Sequence, residues 1–416
     1  MKIIIVSSSD IQGGAARATF RLHKSLLGEG VNSQMIVQSK LSDDFSVLPP
    51  PTRLKKLVGN IRPILDSIPV RRYKKRSKTP FSPSWLPLSG IVDQINSLEP
   101  DVVHLHWIAG GMLRIEELNK IKAPIVWSLH DMWPFTGGCH YDEGCFAYTT
   151  QCSQCPVLGS KSYRDLSHKV WFRKKASFSR LRKMTIVGVS EWLAYCAASS
   201  SLLKDYPVVK LPNPIDTLAF SPFERVESRK LLNLPVDRKL ILFGAIGATS
   251  DPRKGYKELV QALEYLPSEY ELVVFGSSRP KLPQRFKQKA HYLGHLHDDV
   301  SLRVLYSAAD VMVVPSLQEA FGQTASESMA CGTPVVAFGA TGLLDIVDHR
   351  LNGYLAQPFD TQDLANGIDW VIQHKAPEQL SLAAREKVLR EFDSKVVAGK
   401  YIALYEQMLQ QSCTKL

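Results

Sequence analysis

The sequence has no long apolar run at its start. The first apolar stretch, Met1-Lys2-Ile3-Ile4-Ile5-Val6, gives way to Ser7, Ser8, Ser9 and Asp10. That is too short for a signal-peptide core or a membrane span, and it reads as a first buried strand. With no export signal we expect the cytoplasm, where structural disulfides are rare. The dinucleotide fingerprint G-x-G-x-x-G is also missing, because Gly13 and Gly14 are adjacent; this argues against a dehydrogenase. No zinc finger, RNA-binding aromatic motif or single-strand platform accompanies the basic residues, so no nucleic-acid partner is expected.

What is present is a globular chain of 416 residues, 44% apolar and 22% charged, long enough for two domains of near-equal size. In the first half, short apolar or β-branched runs at 3–6, 33–38, 102–105, 125–129 and 185–189 alternate with helical-length segments. That alternation predicts an α/β fold with a parallel, helix-covered sheet. In the second half, runs at 240–244, 272–276, 311–314 and 334–338 repeat the pattern. The best boundary between the halves is Lys210-Leu211-Pro212-Asn213-Pro214-Ile215-Asp216, where two prolines bracket Asn213 and disfavour a long helix or a central strand. We therefore expect domains at 1–212 and 213–395, with a C-terminal helix at 396–416 returning to the first domain.

The net charge of +11 is uneven. Arg53, Lys55, Lys56, Arg62, Arg71, Arg72, Lys74, Lys75, Arg76 and Lys78 crowd an insertion at 50–80. Residues 53–68 can form a basic amphipathic helix, with 71–78 as its exposed tail. An anionic membrane surface or a phosphorylated acceptor would explain this tract. A merely solvated insertion explains it as well as membrane contact does.

The most informative stretch runs from Glu319 to Glu327. It lies between a short strand ending at Pro315 and a helix closed by Gly332, so Glu319 should occupy a loop at a strand's carboxyl end and Glu327 the helix behind it. That rim is where open α/β sheets bind ligands. Two carboxylates beside amides freed at a helix start suit a ligand carrying hydroxyls and phosphates. Upstream, Gly247-Ala248-Thr249-Ser250-Asp251-Pro252-Arg253-Lys254-Gly255 offers a guanidinium fork and a compact ammonium just before a helix. Gly13-Gly14 opens the first helix, which favours an anion but also suits a tight packing turn. His130 follows the strand 125–129 beside Asp131. His104 and His106 share one face of the strand before it and are taken as secondary cleft residues.

The segment Glu319–Pro334, with Gly13-Gly14, His130-Asp131, Pro212–Asp216 and Arg253-Lys254-Gly255 in the same order, resembles the retaining, two-domain nucleotide-sugar glycosyltransferases of family 4. The resemblance covers most of the chain. It implies a GT-B fold: two Rossmann-like domains with an interdomain active-site cleft, residues 1–212 on the acceptor side and 213–395 binding the nucleotide sugar. It further implies that Glu327 holds the ribose and that Glu319 binds hydroxyls of the transferred sugar. The amides of Phe321, Gly322 and Gln323 would lie near sugar or phosphate, with His130 on the donor sugar and Asp131 orienting it. Gly13 and Gly14 would border the acceptor and the transferred phosphate. Lys254 would face the leaving diphosphate. Many relatives place an arginine several positions before the lysine-glycine; here Gly247 to Ser250 carry no charge, and Arg253 is either its replacement or simply exposed. Gly276 and the Gly294-His295-Leu296 segment would read the base.

The reaction so implied is hexosyl transfer from a nucleoside diphosphate sugar, the co-substrate, to a hydroxyl of a glycan or lipid-linked acceptor, with retention and without a covalent protein-sugar intermediate. Fixed cations and helix-end amides can stabilise the leaving diphosphate, so neither a catalytic metal nor another catalytic cofactor is expected. The competing class is a nucleotide-sugar-binding regulatory protein without turnover.

Cys139, Cys145, Cys152 and Cys155 place four of the seven cysteines in one Gly- and Pro-containing loop at 135–160. They could hold a structural zinc tetrahedrally, or be reduced, partly buried thiols. The segment resembles an insertion of an exopolysaccharide or colanic-acid-type subgroup. Membrane contact by the basic tract would place the cytoplasmic protein on the inner membrane face.

Overall fold

Strands built from consecutive Ile and Val residues are greasy on both faces, so they need helices above and below, and a parallel sheet supplies that arrangement. The computed structural model describes residues 1–181, 183–245, 247–277, 286–296 and 298–413. They form two units: Met1–Pro212 together with the chain from Val397 onward, and Asn213–Val396. The first unit holds β1 (Lys2–Ser9), β2 (Asn32–Ser39), β3 (Val47–Leu48), β4 (Val102–Leu105), β5 (Ile125–Leu129), β6 (Met184–Gly188) and β7 (Val208–Lys210). All pair in parallel, in the order β3-β2-β1-β4-β5-β6-β7. Ile3 and Ile5 of β1 pack on Leu22 and Leu26 of the helix Gly14–Gly28. The final helix, Ser394–Cys413, adds Val397, Tyr401 and Tyr405 to the same core; residues 414–416 of the expected helix lie outside the described residues.

The second unit holds β8 (Lys239–Gly244), β9 (Tyr270–Phe275), β10 (Ala290–Tyr292), β11 (Val311–Val314), β12 (Val335–Phe338) and β13 (Gly353–Ala356), again parallel, ordered β10-β9-β8-β11-β12-β13. Its core joins Ile241, Val274 and Val313 to Leu259 and Ile368 from covering helices. The expected α/β class with two Rossmann-like sheets is what the chain forms. The edge strands β3, β7, β10 and β13 were not foreseen.

Both sheets reverse their strand order at one place, between β1 and β4 in the first and between β8 and β11 in the second. At such a point the loops leaving two neighbouring strands diverge to opposite faces and leave a crevice at the carboxyl ends. Gly13 and Gly14 follow β1, Lys254 follows β8 and Glu319 follows β11, at these two places.

Candidate active site

In the second unit, the loop after β8 and the loop after β11 are stitched together by main chain. Leu317 N–H donates to Arg253 O at 2.8 Å. Gly255 has φ +71°, and a Cβ there would overlap the Pro315 carbonyl oxygen. Only glycine lets the turn Pro252–Lys254 lie against the end of β11 and the helix Tyr256–Leu263 begin directly after it. This close approach brings Lys254 Nζ to 2.6 Å from Glu319 Oε2, with Ser316 Oγ also donating to that carboxylate at 3.3 Å. The Glu319 backbone is fixed from its other side: its N–H donates to Thr341 Oγ1 at 3.1 Å and its carbonyl accepts from Gly342 N–H at 2.9 Å. Arg253 differs from its neighbour. Its guanidinium donates to Asp251 Oδ2 at 2.6 Å, so it is held within its own turn.

Behind Glu319 the helix Gln323–Ala330 starts at Gly322, whose φ is +103°. No side chain caps this helix start and no acid occupies its first turn, so the first-turn amides keep their partial positive character toward an anion. One helical turn on, Glu327 is 4% exposed, and its Oε2 accepts from Tyr306 O–H at 2.8 Å. The phenol comes from the helix Asp299–Ala308, which precedes β11. Gly276, φ +72°, follows β9; its N–H donates to Gly294 O at 2.7 Å and its carbonyl accepts from Gly247 N–H at 3.1 Å. These bonds tie the loop after β8 to the segment after β10 that carries half-buried Leu296. Lys254, Glu319, Phe321, Gly322, Gln323 and Glu327 therefore share one rim, with Gly276 and Leu296 on the neighbouring strand ends. Thr341, Gly342 and Tyr306 escaped the sequence reading; only a contact map reveals them.

In the first unit, Gly13 (φ +97°) precedes the helix Gly14–Gly28, and a Cβ on either glycine would meet nothing within 4 Å. The pair thus borders open space at the helix start after β1 rather than being packed in a tight turn. Next to it in the sheet, His106 N–H donates to Val6 O at 2.9 Å. His106 Nδ1 lies 2.9 Å from His130 Nε2, and the two rings stack. His106 Nε2 is buried and makes no hydrogen bond. His104 is wholly buried between Tyr405 O–H (2.7 Å) and Ser128 Oγ (2.8 Å), which makes it a core residue and not part of a binding surface. Burial pushes the His104 imidazole down to about 3 and His130 down to about 4. His106 is pushed well below its usual value by burial and then by the two neighbouring imidazoles. All three are neutral near pH 7.

The Asp131 expectation is corrected. Its carboxylate does not orient His130; it accepts from Trp107 Nε1 (2.8 Å) and Trp133 N–H (2.8 Å) and lies 2.6 Å from His140 Nδ1. Burial alone would raise this carboxyl, but His140 and the two donors hold it below its ordinary value. The physical reason is direction. Asp131 turns into the aromatic cluster of the following loop, so His130 takes its partner from β4's end instead.

Cys139, Cys152 and Cys155 are buried free thiols and Cys145 is an exposed one. Gly137 N–H donates to Cys152 Sγ at 3.1 Å, and burial pushes that thiol up to about 12. Among the described residues no group of three or more His, Cys, Asp or Glu side chains is arranged to hold a metal. The four thiols lie near one another: Cys139 and Cys155 share a side-chain hydrogen bond, and Cys145 and Cys152 each interact with Cys155. At the start of the loop the buried Lys174 side chain donates to the carbonyls of Trp133 and Thr136 and sits 3.8 Å from the Trp133 ring centroid.

Comparison with known proteins adds to this geometry. Residues 238–374 match the family model described as glycosyl transferases group 1. Over 331 residues the chain is 31% identical to an uncharacterized glycosyltransferase of Methanocaldococcus jannaschii, covering 73% of this chain and 82% of that protein. Over 206 residues it is 36% identical to the D-inositol 3-phosphate glycosyltransferase of Xylanimonas cellulosilytica, which covers 47% of this chain and only 48% of that relative's length. In fold it resembles the Anabaena protein HepE, solved with UDP and glucose, with a TM-score of 0.66, 17% identity, and coverage of 98% of this chain and 100% of that one.

Proposed function

The chain belongs to the group 1 glycosyltransferases and has the GT-B architecture, and from that premise we propose that it moves a sugar from a nucleoside diphosphate donor to an acceptor hydroxyl with retained configuration. The observation that carries this reading is the Lys254–Glu319 pair, 2.6 Å apart, at the point where the second sheet reverses its order. Without donor, each group neutralises the other. A bound nucleotide sugar supplies better partners to both: a diphosphate for the ammonium and sugar hydroxyls for the carboxylate. The site thereby binds a ligand that is anionic at one end and hydroxyl-rich at the other.

In the transition state the sugar gains positive character and the departing diphosphate gains negative charge. Lys254 and the amides of Phe321, Gly322 and Gln323 leading into the helix start address the diphosphate, where their contribution grows as charge develops. Glu319 fixes the sugar through its hydroxyls and is assigned no nucleophilic role. Glu327, held by Tyr306, takes the ribose hydroxyls, and Gly276 and Leu296 border the base. We assign His130 to the transferred sugar as a neutral hydrogen-bonding group, and Gly13-Gly14 to the acceptor side. The cysteine-bearing segment favours a glycan or lipid-linked acceptor of the exopolysaccharide type. Support for a nucleotide-sugar donor comes from the fold likeness to HepE, which was solved with UDP and glucose.

The test is a screen of nucleotide-sugar donors against oligosaccharide and lipid-linked acceptors, reading nucleoside diphosphate release and the anomeric configuration of the product. Release that requires both an acceptor and Lys254, with retention at the anomeric carbon, supports the proposal. Tight nucleotide-sugar binding with no acceptor-dependent release from any combination would favour a regulatory binding protein instead.

A further inference from the structure

The helix Arg53–Asp66 is inverted relative to an ordinary surface helix: it buries Arg62 and Asp66 and, half-buried Val58 apart, exposes its apolar residues. Arg62, 6% exposed, donates from Nε to Gly111 O (2.5 Å), from Nη1 to Pro87 O (3.0 Å) and from Nη2 to Leu86 O (2.8 Å). Asp66, also buried, accepts from the N–H groups of Ser84 and Trp85, each at 3.3 Å. Gly59 lets the helix lie close to Gln38. These three positions pin the helix to the first unit by the side that a soluble helix would normally turn outward. Leu54, Leu57, Ile61, Ile64, Leu65 and Ile68 recur at three- and four-residue spacing and line the other side. All six are exposed, Leu54 by 70% and Leu57 by 63%. A monomeric surface rarely leaves such a row in water without a use for it.

Charge says what covers the row. Between residues 52 and 92 the buried Asp66 is the single acid. Arg53 and Lys56 flank the stripe, and Arg71, Arg72, Lys74, Lys75 and Arg76 follow it, all exposed. The tract is held to the fold, because Leu166 N–H donates to Tyr73 O–H at 2.9 Å and Ser77 N–H to Val157 O at 2.9 Å. A second copy of the chain would bring these cations against each other. Nucleic acid would match the cations but leave the leucines and isoleucines with nothing to bury against. An anionic bilayer answers both, since acyl chains take the apolar row and headgroups take the flanking charges. Among the described residues no helix is long and apolar enough to cross a membrane, so the contact is interfacial.

We propose that the helix Arg53–Asp66 and the basic tract behind it dock the first unit on an anionic phospholipid surface, with Leu54, Leu57, Ile61 and Ile64 entering the headgroup–acyl boundary. This inference does not depend on the glycosyltransferase reaction. The test is sedimentation of the full-length protein with phosphatidylcholine vesicles and with mixed phosphatidylcholine–phosphatidylglycerol vesicles, at low and moderate salt. The wild type should bind the anionic vesicles, and raising the salt should weaken binding. L57D/I61D should lose about tenfold or more in vesicle affinity, because a charge in the row opposes insertion. R71A/R72A/K74A should lose a similar factor, mainly at low salt. A far-UV melt checks that each variant is folded, and L57S/I61S replaces the aspartate pair if that one is not. Equal binding to neutral and anionic vesicles, or unchanged binding of L57D/I61D and L57S/I61S, would overturn the proposal. So would a wild type that ignores vesicles, including one that forms a dimer in solution which the row substitutions dissociate.

Discussion

Lys254 and Glu319 are 65 positions apart in the chain, yet Nζ and Oε2 meet at 2.6 Å because Gly255 allows one loop to rest on the other. The pair is only partly exposed, 22% and 14% by side chain, so removing the ammonium has two separable effects. Lys254→Ala should lower turnover by about 10²–10³-fold, the usual scale for loss of a fixed group facing developing charge. It should also destabilise the fold, because Glu319 is left without its cation. Adding Glu319→Gln should recover the melting temperature but not the turnover. Turnover and thermal melts on the single and double variants read both effects, and wild-type activity in Lys254→Ala would remove the phosphate role. Arg253→Ala, by contrast, frees Asp251 and should change turnover far less.

Tyr306 presents its hydroxyl to Glu327, so a ribose-binding role predicts graded losses. Glu327→Gln replaces a charged acceptor by a neutral one and should weaken nucleotide binding by about tenfold or more. Tyr306→Phe keeps the carboxylate but frees its position, and should cost less. Calorimetric titration with nucleoside diphosphates gives the comparison. Equal affinity across wild type, Tyr306→Phe and Glu327→Gln would show that ribose binds elsewhere.

Gly255→Ala places a methyl group against the Pro315 carbonyl at a positive φ. The chain must move one loop off the other, at a cost of about 2 kcal/mol or more. Urea unfolding should show that loss, and turnover should fall further than stability does, because the shift separates Lys254 from Glu319. A variant as stable and active as the wild type would mean that this contact does not position the site.

Much of this was readable beforehand for a simple reason. The central strands are buried on both faces, so β1, β5, β9 and β11 appear as apolar runs in any window of the sequence. The edge strands β3, β7, β10 and β13 are two to four residues long, too short to show a pattern, and the sheet alone recruits them. At the site, Glu319, Glu327 and Lys254 were visible through local context: a loop after a strand, a helix start, a glycine. Their partners were not. Tyr306 meets the Glu327 carboxylate and Thr341 and Gly342 meet the Glu319 backbone through tertiary packing, and His104 finds Tyr405 across 301 positions. Asp131 sits beside His130 in sequence yet faces away from it, a reminder that adjacent side chains at a strand's end point in different directions. The helix at 53–66 was legible as amphipathic; that Arg62 and Asp66 mark its buried side follows from the carbonyls and amides of 84–87 and 111, which no periodicity contains.

The buried histidines make the first unit acid-sensitive in a definable way. His104, His106 and His130 lie at the ends of β4 and β5, and His23 is held between Ser33 Oγ and Ser46 Oγ, both at 2.8 Å. Burial lowers all four: His23 and His130 to about 4, His104 to about 3 and His106 well below its usual value. In the unfolded chain each titrates near 6.5. Unfolding between these values therefore takes up protons, so each group's contribution to stability is present above pH 6.5 and is lost as pH falls toward the folded-state value. Each histidine adds a slope of up to about 1.4 kcal/mol per pH unit within that window. His104→Gln retains a polar side chain between Tyr405 and Ser128 but cannot take up a proton. Its unfolding should be easier at pH 7, while its stability should fall less steeply between pH 6 and 4.5, by about one proton on unfolding. Proton uptake measured by calorimetric unfolding in buffers of different ionisation enthalpy gives that number directly. An unchanged proton count in His104→Gln would mean that this imidazole is already charged in the folded protein, against the neutral ring that its burial between two hydroxyls requires.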